Sequence, residues 1–177
     1  MAILKIAKYP DPILRKKTEL VDFSDKSLPK LVEDMFETMY AAEGVGLAAN
    51  QVGVDLRLAV IDCSGGEDPK ERLILVNPEI LETRGDVSEE EGCLSFPKIR
   101  AKTDRADYAK VRAFTLKGKA FLVEGDGLLG KALQHEIDHL NGRLFIDRMG
   151  LAQKALISGK LKDLKAEGTP KKKKAGK

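Results

Sequence analysis

The chain contains two histidines, and they stand four residues apart in the run His135-Glu136-Ile137-Asp138-His139. On an α-helix that spacing stacks both imidazoles on one face about one turn apart, so that one ion can reach both. Glu136 directly follows the first histidine and falls within reach of a water beside such an ion. A divalent ion lowers the pKa of a water it binds towards neutrality, and a nearby carboxylate can take the proton and deliver it to a leaving nitrogen. These residue types at this spacing point to a metal-dependent hydrolase. The plainer alternatives are a buried structural histidine pair bonded to backbone carbonyls and a surface glutamate in an exposed turn.

Two histidines leave a catalytic site one protein ligand short, because such sites usually take three and keep a further position open. The three-histidine pattern HExxHxxGxxH is followed as far as Gly142 and fails at Phe145, which stands where the last histidine belongs. A downstream glutamate would have to be Glu167, among lysines close to the C-terminus. Cys93, in EEEGCLSFP, lies between Gly92 and polar residues and is the better third candidate; a buried strand cysteine is its alternative. Cys63 ends an aliphatic run and reads as ordinary core.

The elements that must position these residues follow from periodicity. Asp126 stands as a cap before Leu128, Leu129, Ala132, Leu133, Ile137 and Leu140, which recur every three or four residues until Asn141-Gly142. This predicts a helix carrying HEIDH. An amphipathic helix from about 28 to 43 is predicted after the cap candidate Ser27, and a last helix from about 150 to 166. GVGLAANQVG, with three glycines around a small apolar core, reads as a loop or bulged strand. Residues 56–63 and 72–83 read as strands, and 108–123 as a hairpin turning at Lys117-Gly118-Lys119.

With 177 residues, 42% of them apolar, the chain suits one compact domain over 1–167, followed by a lysine-rich tail at 168–177. Its apolar runs are too short to span a membrane and its N-terminus lacks a signal-peptide layout, which gives a cytoplasmic expectation and makes the two cysteines free thiols or metal ligands. The net charge of +3 hides an asymmetry: residues 154–177 carry nine lysines against Asp163 and Glu167, a balance of +7, which leaves −4 for the body. Such a tail could meet RNA, and a solvated tail without a partner is the alternative.

Read together, GVGLAANQ, EGCLS and QHEIDH resemble the three motifs of the peptide deformylases, GφGLAAxQ, EGCφS and QHExxH with φ apolar, in the same order and spacing. The resemblance runs from KYPDPILRKK through the final helix. It implies an α+β fold with strands around a central HExxH helix, and removal of the N-formyl group from the N-terminal formylmethionine of new proteins, releasing formate. It implies Cys93, His135 and His139 as metal ligands and Glu136 as acid and base, with the Gln51 side-chain amide and the Leu94 backbone N–H binding the oxygen that becomes negative. Gly46 then resembles a backbone contact for the substrate, Arg100 a contact to the peptide backbone, and Val45, Glu91, Leu128 and Ala132 positions lining the methionine pocket. Core packing on their own helix is the alternative for Leu128 and Ala132. Lys131 departs from the pattern, standing where the family often has an apolar residue.

One divalent ion is implied. A thiolate with two imidazoles suits zinc chemically, whereas the family is similar in using ferrous iron for full activity, and zinc, nickel or cobalt can occupy a purified sample. The implied partners are formylmethionyl nascent peptides, met as a monomer, with the ribosome reached through the basic tail. Two competing readings remain: an endopeptidase using the same ion, and an RNA-binding module whose metal is structural.

Overall fold

The computed structural model describes residues 2–168. Its strands are β1 (Gly46–Ala48), β2 (Leu58–Ile61), β3 (Leu73–Arg84), β4 (Val87–Gly92), β5 (Arg100–Arg105), β6 (Tyr108–Phe114) and β7 (Ala120–Gly125), and its α-helices are α1 (Leu28–Ala41), α2 (Gly127–Leu140) and α3 (Leu151–Gly168). Five strands form an antiparallel sheet in the order β1-β2-β3-β6-β7, while β4 and β5 pair only with each other. This is the α+β class that the sequence predicts.

The two faces of the large sheet explain its composition. Successive side chains of a strand point to opposite sides. Leu58 and Val60 of β2 pack with Val32, Met35, Phe36 and Met39 of α1, whereas Ile61 packs with Leu133 and Ile137 of α2. A strand covered on both faces has no polar side, and β2 reads Leu-Ala-Val-Ile with all four residues buried. A third cluster joins Leu14, Phe96, Ile99 and Ala101 to Phe145, Ile157 and Leu164, so that α3 closes the far side of the β4–β5 hairpin. Phe145, which breaks the three-histidine pattern, is 1% exposed and meets Phe96 edge-to-face at 4.9 Å.

α2 is the element that positions the site. Ala132, Leu133 and Ile137 face the sheet, and the opposite face of the helix turns to the hairpin. At Gly130 the contact is so close that a Cβ would lie 2.5 Å from the Asp107 carbonyl oxygen and 2.7 Å from that of Gly125. The expected caps are absent as side-chain caps. Ser27 and Asp126 occupy the positions before α1 and α2, but neither side chain bonds the helix, and the Ser27 hydroxyl donates to Asp25 instead. Both helices are held by the apolar faces they bury, which is where most helical stability in proteins comes from.

The hairpin escapes the apolar alternation rule. Along β5 the buried positions are Ala101, Thr103 and Arg105, so its inward face carries a hydroxyl and a guanidinium. Cys63, just past β2, is a half-buried free thiol beside the sheet–α2 cluster, and burial pushes its pKa up, as for an inert core cysteine. The lysine run at 171–174 lies outside the described residues.

Two glycine substitutions should therefore move stability in opposite directions. Gly130→Ala forces a Cβ against backbone and is expected to cost about 1–3 kcal/mol. Gly159→Ala, in exposed α3 with nothing near its Cβ position, is expected to add about 0.5–1 kcal/mol. Urea denaturation at matched metal content checks both, and equal effects at the two positions would contradict the close contact at Gly130.

Candidate metal centre

Three donor atoms converge between α2 and the segment that follows β4. Cys93 Sγ lies 3.2 Å from His139 Nε2, which lies 3.1 Å from His135 Nε2. Ligands around one tetrahedral ion at normal bond lengths stand about 3.3–3.6 Å apart, so this spacing is near that of a ligand set. The cluster combines a soft thiolate donor with two imidazoles, and all of its ligand atoms fall within 4.8 Å of one another. The donors thus fit a single thiophilic divalent ion.

The surrounding charges point the same way. His135 Nδ1 is bonded to the Glu91 carboxylate, which fixes the ring and turns Nε2 towards the cluster. Burial opposes a charge on His135, but its bonds to Cys93 and Glu91 outweigh burial and hold its pKa well above the ordinary value. His139, buried beside it, is held well below. Glu91 therefore draws positive charge towards the spot where a cation would sit.

Glu136 is 3% exposed, and its Oε2 meets no protein partner among the described residues. Burial pushes its pKa up to about 7, against the pull of His135. Gly46 makes room for it: a Cβ there would stand 2.3 Å from Glu136 Oε1. Gln51 closes another side. Its Oε1 accepts from the Ala48 N–H at 2.9 Å, which leaves Nε2 to face Ser95 Oγ at 3.1 Å and Cys93 Sγ at 3.6 Å.

These groups open onto a cleft of about 640 Å³, lined by Val45, Gly46, Gln51, Glu91, Leu94, Arg100, Leu128 and Ala132 together with Cys93, His135 and Glu136, while His139 lies buried beneath it. The residues named as candidate ligands, acid–base, oxyanion and pocket residues thus lie around one place. Glu91 lines the cleft, and its carboxylate also accepts from Arg105 and Thr103 and bonds His135. Arg100 is exposed, with Nε 3.3 Å from Glu90.

The support behind the candidate ligands is not apparent from the sequence. Arg105, with a side chain only 1% exposed, donates to Glu91 at 2.6 and 2.8 Å and to Asp138 at 2.9 Å. Asp138 also accepts from Arg148 at 2.7 and 3.0 Å, and Asn50 Nδ2 donates to the His139 carbonyl at 2.6 Å. The one available signal was Asp138 itself, an acid inside HEIDH on the same side of the helix as His135.

The model of a family described as polypeptide deformylase matches residues 3–155. The chain belongs to the peptide deformylase family. The peptide deformylase of Acidobacterium capsulatum is 48% identical over 168 residues, covering 95% of this chain and 99% of its own. Peptide deformylase 1 of Bacillus anthracis is 52% identical over 149 residues, covering 84% of this chain and 94% of its own. The crystal structure of a peptide deformylase from Legionella pneumophila superposes with a TM-score of 0.86 at 48% identity, over 94% of this chain and 97% of that one. The protein is a metal-dependent hydrolase that removes the N-formyl group from nascent peptides. The endopeptidase and RNA-module readings fall away.

Removing the buried guanidinium should expose how much rests on it. Arg105→Leu leaves Glu91 and Asp138 without their shared partner and is expected to cost about 3–5 kcal/mol in urea denaturation. A loss below 1 kcal/mol would mean that the two carboxylates find other partners unaided.

Proposed function

We propose that Cys93, His135 and His139 hold one ferrous ion and that Glu136 moves the proton in deformylation. The convergence of the three donors beside a buried carboxylate carries this reading. Held there, the ion supplies a Lewis acid and a lowered pKa for water. Glu136 takes a proton from the water that attacks the formyl carbon. As the new C–O bond forms, the Gln51 Nε2–H and the Leu94 N–H donate to the formyl oxygen, where negative charge grows. The C–N bond then breaks, and Glu136 returns its proton to the departing nitrogen. Formate and a free amino terminus leave.

The bond from Ala48 N–H to Gln51 Oε1 supports the donor role, because it keeps the amide nitrogen turned towards the reacting side. Gly46 offers its backbone to the substrate chain and Arg100 reaches the peptide beyond. Val45, Glu91, Leu128 and Ala132 line the pocket for the first side chain, and Glu91 also holds His135. In this reading the enzyme works as a monomer in the cytoplasm, where nascent chains emerge. The +7 balance of residues 154–177 supports an approach to ribosomal RNA.

Glu136→Gln keeps the shape and removes the base. Its expected effect is a fall in kcat of about 100- to 10,000-fold, with metal content unchanged by elemental analysis of the same sample. Formate release from formyl-Met-Ala-Ser within tenfold of the native rate would reject Glu136 as the proton carrier.

The iron assignment has its own consequence. Anaerobically prepared protein should contain iron, lose formate release in air, and keep it when nickel or cobalt is substituted. Equal, air-stable turnover with zinc and with iron would overturn it.

A further inference from the structure

Side chains of β4 alternate, so Val87, Glu89 and Glu91 share the face turned to α2. The helix answers with Leu128, Lys131 and His135, spaced three and four residues apart. The inner pair is Glu91 with His135; the next pair outward is an ion pair between Glu89 and Lys131. Both residues of the outer pair line the cleft, together with Ala132 and Leu128. Lys131 precedes His135 by about 6 Å along the helix axis. Its side chain is 24% exposed, so the stem serves as apolar wall while the ammonium sits at the far end beside Glu89.

We propose that the Glu89–Lys131 pair determines specificity at the end of the pocket for the first side chain. It would favour side chains of methionine length that end in a hydrogen-bond acceptor, methionine sulfoxide being the simplest. The proposal rests on the reading that this wall takes the first side chain. An ammonium has more donors than its partner carboxylate oxygen uses, and a charge-assisted bond to a sulfoxide oxygen is among the stronger kinds. A wholly apolar end, as in norleucine, covers the pair and returns nothing for the water it displaces.

The test is kcat/KM on metal-loaded enzyme for formyl-X-Ala-Ser, with X as norleucine, methionine or methionine sulfoxide. Each ratio is read within one protein, so a general loss of activity cancels. The double substitution Glu89→Leu with Lys131→Leu removes both charges and strands neither. The sulfoxide-to-norleucine ratio is expected to fall at least fivefold, through KM; a smaller change overturns the proposal. Should the double variant not fold, Lys131→Met, of similar length and uncharged, is held to the same threshold. Ala132→Leu separates this claim from the reading beneath it. If that substitution leaves the preference for X as methionine over X as alanine unchanged, the wall does not take the first side chain. If it lowers that preference while the charge variants leave the sulfoxide ratio in place, the ion-pair proposal alone fails.

Discussion

A guanidinium taken out of water costs several kcal/mol unless carboxylates meet it, and Arg105 meets two. One, Glu91, belongs to its own hairpin; the other, Asp138, belongs to α2. The hairpin is therefore docked on the helix by charges that admit few alternative geometries, where apolar packing would tolerate sliding. Glu91 is held in turn against His135, and Asp138 passes the restraint on to Arg148. The short helical turn containing Arg148 also contains Phe145, which packs on Phe96, three residues after Cys93. The segments bearing the thiol and the imidazoles are thus tied to each other behind the site as well as through any ion in front of it.

The other face of α2 contributes in a different way. It buries Leu133 and Ile137 against a sheet that is itself backed by α1, and at Gly130 it comes as close as backbone allows. This depth places His139 next to Asn50 and Glu136 next to Gly46, so the GVGLAANQ segment forms one wall of the centre. A side chain at position 46 would occupy the space of the Glu136 carboxylate. Glycine there is required by the room that the Glu136 carboxylate takes, since the backbone is that of an ordinary strand.

The candidate ligands were legible in the sequence because metal chemistry admits few residue types and because a helix repeats every 3.6 residues. Strand β2 was legible for a similar reason: two covered faces demand an unbroken apolar run. The β4–β5 hairpin was not, because its inward positions hold Thr103, Arg105, Glu89 and Glu91: the last three find partners on a helix 33 to 44 residues away in sequence, and Thr103 donates to Glu91. A period-two rule applied to hydrophobicity has nothing to register there. The cap candidates misled in the opposite direction. Ser27 and Asp126 are of the right types at the right positions, but both helices already have their ends set by packing, and the side chains turned elsewhere or stayed unbound. Glu91 stands at the cleft wall and also has its carboxylate committed to Arg105, Thr103 and His135, a second task that its position in the sequence did not reveal.

Along β4 the strength of the cross-links falls from the metal centre towards solvent. Glu91 sits with a buried guanidinium, where charge–charge interactions are poorly screened and water does not compete. Glu89 is 56% exposed, and ion pairs so open to solvent contribute only about 0–1 kcal/mol and weaken with salt. The gradient divides the strand into two parts. Changes at the inner pair disturb the ring of His135 and with it the ligand geometry, whereas changes at the outer pair cost little stability and leave that geometry in place. The restraint on the His135 ring is supplied one helical turn further in by Arg105 through Glu91, so positions 89 and 131 lie outside it.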